Sequence, residues 1–202
     1  MASYRKLLPF ESGTLAGHLL RLVPADRQSR FAGALADEVV RRHTRSLDWS
    51  RTTIIGFFED GTLRGAAELT LDGSMPGASA EFAVTVEAPW QDSGIGSELL
   101  RRTIVLARNR GVRRLWMLCL AENARMRRIA IKHRGRLAFD EGLTWADVAT
   151  PTADPGSLAA EWFGDALGWA SSWRERVRAP DPLHRRADDL GLADHARRRV
   201  NP

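Results

Sequence analysis

The sequence predicts a mixed α/β fold, with a sheet flanked by helices rather than a doubly wound parallel sheet. Three observations carry this. Two stretches read as β-hairpins, one turning at Asp60-Gly61 and one at Glu141-Gly142. Helical patterns stand before, between and after the strand patterns. The apolar fraction is 44%, enough to bury a real core in a chain of 202 residues.

Taken in order, Leu15 to Val23 (LAGHLLRLV) is a run of mostly apolar residues stopped by Pro24, and it reads as a first strand. Helical patterns follow over Arg27 to Ala36 and Asp37 to Leu47. Thr52 to Phe58 is β-branched and aromatic, and Leu63 to Leu71 returns after the turn pair. Gly73 to Ser79 is a loop by composition. Ala80 to Val86 is a further strand, closed by Pro89, and Gln91 to Gly96 is a glycine-bearing turn. Ser97 to Arg110 places Leu99, Leu100, Thr103, Ile104 and Leu106 on one helical side, with Gly111 at the C-terminal stop. Val112 to Leu120 is a strand, Asn123 to His133 a helix, and Arg136 to Asp140 with Leu143 to Val148 the second hairpin. From Thr150 the composition changes. TPTADPGS reads as a linker, and Leu158, Trp162, Trp169 and Trp173 then recur on one helical face. The expected division is a domain over residues 1–149 and a linker with a Trp- and Arg-rich helical tail over 150–202.

Charge and composition narrow the function. The formal net charge is +5, and apart from Lys6 and Lys132 every cation of the Lys/Arg class is arginine. That balance suits an anionic ligand or partner without choosing among them. No basic strand carries interleaved aromatics, so nucleic acid is not expected as a partner. Cys119 is the only cysteine, which rules out an internal disulfide. His18, His43, His133, His184 and His195 show no ligand spacing, so no metal is expected. No apolar run reaches the length of a membrane span, and MASYRKLLPFESG has no apolar signal core. A soluble cytoplasmic protein is the expectation.

The chemistry-bearing segment is AEFAVTVEAPWQDSGIG, from Ala80 to Gly96. Gly94 and Gly96 lie where a strand turns into a helix. A helix N-terminus offers free N–H groups and partial positive charge, and glycine lets an anion approach closely. Strand, turn and helix together form a pyrophosphate cradle. The spacing lacks the Lys-Ser/Thr of a P-loop and the downstream strand and acid of the dinucleotide fold.

Gln91-x-x-Gly94-x-Gly96, preceded by AEFAV and followed by an amphipathic helix, resembles the acyl-CoA signature of the GNAT superfamily of N-acetyltransferases. LAENARM (Leu120 to Met126) and the Arg110-Gly111 helix end add to it. The set is most similar to the acetyltransferase domain of bacterial Pat-type protein lysine acetyltransferases, over roughly Gly17 to Val148. The resemblance implies a central, mostly antiparallel sheet with two parallel strands that splay apart around acetyl-CoA. It implies backbone contacts from Val84, Thr85 and Val86 to the pantetheine arm. It further implies pyrophosphate contacts from the amides of Asp92, Ser93, Gly94, Ile95, Gly96 and Ser97, with Gln91 opening the turn, and a hydrogen bond from Asn123. The implied reaction is transfer of an acetyl group to a primary amine, on a small molecule or a protein lysine. An alkylammonium has no lone pair, so a base is needed. The resemblance gives that role to Glu81, with Glu68 on the preceding strand as runner-up and Glu87 at the strand's rim.

Some positions depart from that pattern. Asp92 and Ser93 stand where relatives carry glycine and a basic residue, and Arg101 or Arg102 are the nearest candidates to compensate. Ala130 stands where many relatives carry a tyrosine acid for the leaving thiolate. Cys119 reads as a buried structural thiol, and His133 as a cation suited to a helix C-terminus. These departures keep a second class open, a non-catalytic acyl-CoA-binding or partner-binding module on the same frame. For the tail, packing on its own domain or on a second copy as a homodimer is favoured over an anionic membrane, given Glu161 and Asp165.

Overall fold

The structure, a computed structural model, describes residues 2–31, 36–72 and 79–178, with the backbone alone for 171–178. The elements run β1 (Ala2–Lys6), α1 (Ser12–Arg21), α2 (Pro24–Phe31), α3 (Asp37–Arg45), β2 (Thr52–Glu59), β3 (Thr62–Leu71), β4 (Ser79–Val86), α4 (Ile95–Asn109), β5 (Arg114–Leu120), α5 (Ala124–Lys132), β6 (Arg136–Asp140), β7 (Leu143–Ala149) and α6 (Pro155–Arg178). The loop expected over Gly73 to Ser79 lies outside the described residues up to Ala78. So do the end of the helix expected to Ala36, the side chain of Trp173 and the basic stretch at Arg197–Arg199.

Among the described residues one seven-stranded sheet results, ordered β1-β2-β3-β4-β5-β7-β6. Every pairing is antiparallel except β4 with β5. Both expected hairpins form. Asp60 and Gly61 have φ of 47° and 73°, and Glu141 and Gly142 have 42° and 82°, the left-handed pairs that a two-residue turn between twisted strands needs.

Alternation along the strands splits the core in two. One face sends Ile55, Phe57, Ala67, Leu69, Ala80, Phe82, Leu115, Met117, Ala146 and Val148 against α4 and α5. The other sends Ile54, Phe58, Leu63 and Ala66 against Leu15, Leu19, Leu22 and Val40 of the α1–α3 layer.

The first strand is where the sequence reading fails. LAGHLLRLV is not a strand but most of α1, and Leu15, Leu19 and Leu22 are buried at helical spacing. A short apolar run fits either period, and here the helical one matches the buried positions. The true first strand is Ala2–Lys6, whose polar ASYRK sequence is held by pairing with β2 over Ala2↔Glu59 to Lys6↔Ile55.

The tail helix α6 docks on β1 and α4 through a face that takes in only part of the tryptophan stripe: Trp169 is half-buried, with the Arg5 guanidinium 5.5 Å from its ring centre. Ser157, Glu161, Gly164, Asp165 and Gly168 face the domain, while Leu158 and Trp162 remain 53% and 67% exposed. Lys6 Nζ bridges Glu161 at 2.5 Å and Asp165 at 2.6 Å, and Asn109 Nδ2 donates to Glu161 at 2.7 Å. Gly168 lies so close to β1 that a Cβ there would stand 2.6 Å from the Tyr4 carbonyl oxygen.

Candidate active site

The parallel pairing of β4 with β5 lasts only from Ser79↔Arg114 to Glu81↔Trp116. Beyond Glu81 the strands part. Phe82 to Val86 on one side and Leu118 to Leu120 on the other become the walls of a cleft of about 940 Å³. The N-terminus of α4 and the first turns of α5 close one end, and α2 lies across it with Asp26, Ser29, Arg30 and Phe31 on the lining. Such a splay leaves the β5-facing edge of β4 without a strand partner, so backbone donors and acceptors of this stretch face the cleft.

At the α4 end, Gly94 is the N-cap residue with φ 88°, a conformation that costs glycine nothing. The amides of Ile95, Gly96 and Ser97 have no intrahelical acceptor, whereas Glu98 N already donates to the Gly94 carbonyl. A Cβ on Gly96 would stand 3.0 Å from Ile129 Cδ1, so the glycine also allows α5 to approach. Gln91 donates to the Val86 carbonyl at 2.9 Å and to Asp26 at 2.7 Å, so its side chain ties the turn to β4 and α2. Asn123 caps α5 by accepting from the Met126 amide at 3.1 Å, and it lines the cleft.

Val84, Thr85, Val86, Gln91, Asp92, Gly94, Gly96, Ser97 and Asn123 therefore all border one cavity. Two residues expected there do not line it. Ile95 is buried in the α4 core, and the exposed Ser93 turns its hydroxyl to the Trp90 carbonyl.

Asp92 adopts φ 55° and points to α5, with Arg125 Nε at 3.5 Å and Arg128 Nη2 at 3.6 Å. Both arginines line the cleft beside the α4 N-terminus. Basic side chains thus stand beside the turn from α5 rather than within it. Arg101 and Arg102 are not those groups, because both donate to Glu98 at 2.6–2.8 Å.

The two candidate bases occupy opposite situations. Glu81 is half-buried on the cleft wall and has no hydrogen-bond or ion-pair partner among the described residues. Glu68 is buried, accepting from Arg30 Nη2 at 2.8 Å and from His43 Nε2 at 3.2 Å. Burial pushes its pKa up, but Arg30 and His43 outweigh that and hold it at about 2. A carboxylate so stabilised is a poor proton acceptor, and its two partners, rather than Glu68 itself, reach the cleft lining.

Glu87 is not at the rim. It is 4% exposed and meets His18 Nδ1 at 3.1 Å, Arg21 Nε at 2.9 Å and Arg64 Nη1 at 2.9 Å. Burial pushes it up, and these three contacts bring it down to about 2. His18 passes the link on to the Thr85 hydroxyl at 2.9 Å, so this ionic knot fixes the end of β4.

Cys119 is 5% exposed, and burial pushes its thiol pKa up, which keeps it protonated. His133 caps α5 and meets the Ser97 hydroxyl at 3.0 Å. Burial, with Lys132 and Arg101 nearby, pushes its pKa down, so it serves as a neutral partner. Ala130 is fully buried and supplies no acid.

Residues 22–135 match the family model for the Acetyltransferase (GNAT) family. The chain belongs to the GNAT acetyltransferases. Solved structures share this GNAT fold. The GNAT domain of PAT from S. lividans is 20% identical, with a TM-score of 0.63 over 72% of this chain and 89% of that one. YncA of Salmonella typhimurium, a putative acetyltransferase solved with its cofactor acetyl-CoA, is 15% identical, with a TM-score of 0.60 over 76% and 96%. PaiA N-acetyltransferase of Thermoplasma acidophilum, in complex with coenzyme A, is 17% identical, with a TM-score of 0.56 over 74% and 99%. No curated protein sequence matches. Among the described residues of this GNAT chain, no helix is long and apolar enough to cross a membrane, and no cluster of His, Cys, Asp and Glu could hold a metal ion.

Proposed function

We propose that this GNAT protein transfers an acetyl group from acetyl-CoA to a primary amine, in the cytoplasm, by direct attack within a ternary complex. Acetyl-CoA supplies an activated thioester. The backbone of Val84, Thr85 and Val86 orients the pantetheine arm along the open edge of β4. The amides of Ile95, Gly96 and Ser97 hold the diphosphate, helped by Arg125 and Arg128 across the cleft. Asn123 holds the arm from the α5 side.

The observation that carries the reading is Glu81, a carboxylate without a partner among the described residues, where the walls begin to separate. Glu81 takes a proton from the acceptor ammonium, directly or through water, and frees the nitrogen lone pair. The C–N bond forms, the C–S bond breaks, and the nitrogen loses a second proton as the amide appears. Through water that second proton passes to the departing thiolate, since Ala130 offers no hydroxyl. Glu81→Gln is expected to cut turnover at least a hundredfold while leaving the thermal shift caused by acetyl-CoA in place. Unchanged turnover with a good acceptor would remove Glu81 from this role.

The absent tyrosine at Ala130 favours a second reading, a module that binds acyl-CoA without turnover. It predicts a thermal shift with acetyl-CoA and no product across a broad panel of amines and proteins.

A further inference from the structure

Glu81 is the last residue of β4 to pair with β5, and its partner there is Trp116. Leu118, two residues on, stands opposite Trp145 of β7, which in turn stands opposite Ala138 of β6. Residues in register share a face of the sheet. Glu81, Trp116, Leu118 and Trp145 thus project from one side, opposite the side that packs on α4 and α5. Over β2 to β4 the α1–α3 layer covers this side. Over β5 only α2 reaches it, at the cleft, and Leu118 and Trp145 stay 36% and 41% exposed. The Trp116 and Trp145 rings lie 5.4 Å apart at 39°. The Trp116 indole is fixed by donating to Asp72 at 2.6 Å, which also accepts from the Ser79 hydroxyl at 2.7 Å. An anchored aromatic floor therefore begins beside Glu81 and runs toward the edge of the sheet.

Resting on the amine-acceptor reading above, we infer that Trp116 and Trp145 are the acceptor-docking surface and select polypeptides with a bulky apolar residue near the reacting amine. The shape of the floor points to a polypeptide. Small ligands are held in concave pockets that bury most of their surface, and Trp116 and Trp145 lie outside the cleft that Glu81 and Leu118 line. Its charge fits an amine. Indole faces attract alkylammonium groups, the Glu81 carboxylate is unpaired among the described residues, and Arg114 on the same face is neutralised by Asp147 at 2.7 Å. Its dimensions set the spacing. Strands lie about 4.8 Å apart and Trp145 is also two residues further along, so it stands roughly 12 Å from Glu81. An extended chain advances about 3.3 Å per residue, so the apolar residue falls about two to four positions from the lysine whose amine reacts.

Peptides with a single lysine and either Phe or Ala about three positions away test this in the full chain with acetyl-CoA. The Phe peptide is expected to show about tenfold higher kcat/KM than the Ala peptide. That ratio is expected to fall toward one in Trp145→Ala and to recover in Trp145→Phe. Binding is read separately, by fluorescence anisotropy of the labelled Phe peptide on Glu81→Gln protein with and without Trp145→Ala. This readout holds even if Glu81 is not the base and no turnover occurs. A Phe/Ala ratio near one in the parent protein, a ratio or peptide affinity untouched by Trp145→Ala, or acetylation of free arylalkylamines with no peptide acetylated or bound each overturns the inference. A Trp145→Ala chain that does not fold leaves the Trp145→Phe and Leu118→Asp chains to decide. Leu118→Asp is expected to lower the ratio by placing a carboxylate on the floor.

Discussion

Glu68→Gln tests the structural role of the buried carboxylate between Arg30 and His43. The carboxylate sits 4% exposed between Arg30 and His43 and is held at about 2 against an ordinary 4.5. At 1.36 kcal/mol for each pH unit, that span makes the ionised form worth about 3 kcal/mol more to the fold than the neutral one. Glutamine imitates the neutral form and leaves the Arg30 guanidinium without its counter-charge, a change that typically costs ~3–5 kcal/mol in a buried pair. A loss of about 3 kcal/mol is therefore expected at pH 7, measured by urea unfolding. The native pKa is depressed, so the contribution is full above 4.5 and is lost as the pH falls toward 2. The gap between parent and variant should narrow across that window. A loss under ~1 kcal/mol at pH 7, or a gap equally wide at pH 7 and pH 2.5, would refute the account of the cluster. Folded Glu68→Gln protein without turnover, beside an active Glu81→Gln, would reverse the two assignments.

Asp92→Gly replaces a side chain at φ 55° with the residue that tolerates that angle and removes the carboxylate facing Arg125 and Arg128. Exposed pairs of this kind are worth ~0.5–1 kcal/mol, so CoA binding is expected to tighten about two- to fivefold at low salt by calorimetry. Weaker binding would show that Asp92 serves the ligand directly. Gly168→Ala would place a Cβ 2.6 Å from the Tyr4 carbonyl oxygen and 2.7 Å from Arg5 Cβ. Alanine ordinarily stabilises a helix interior, so a loss of ~1–3 kcal/mol in thermal unfolding, with faster proteolysis of the tail, would mark the close contact of α6 with β1.

The parts of the fold written in local pattern were legible. Asp60-Gly61 and Glu141-Gly142 announce their hairpins because turn geometry is set by the turn residues themselves. AEFAVTV and the glycine turn announce β4 and the start of α4, and the parting of β4 from β5 was implied by the resemblance those residues carry. What the sequence hid was set by distant partners. ASYRK becomes a strand only because β2 and α6 lie beside it. LAGHLLRLV is too short and too apolar for its period to be read. Much of the tail's docking face is glycines and acids, which carry no amphipathic signal of their own, and the acids Glu161 and Asp165 pair with Lys6 about 155 residues away. At the site, Arg125 and Arg128 could have been found, because their i, i+3 spacing after the Asn123 cap puts them on one helix face. The Arg30–Glu68–His43 cluster could not, since three elements build it.

The short β4–β5 ladder has a mechanical consequence. Strands β1 to β4 form one antiparallel leaf and β5, β7 and β6 another, and among the described residues only three pairs stitch leaf to leaf. The sheet is thus a nearly divided blade. Its two halves are bridged mainly by side chains of α4 and α5 packed on one face. A molecule lying in the opening with its own donors and acceptors would act as an eighth, removable strand. Occupancy of the cleft and cohesion of the sheet then become a single property, visible as slowed amide exchange along Phe82 to Val86 when the cleft is filled.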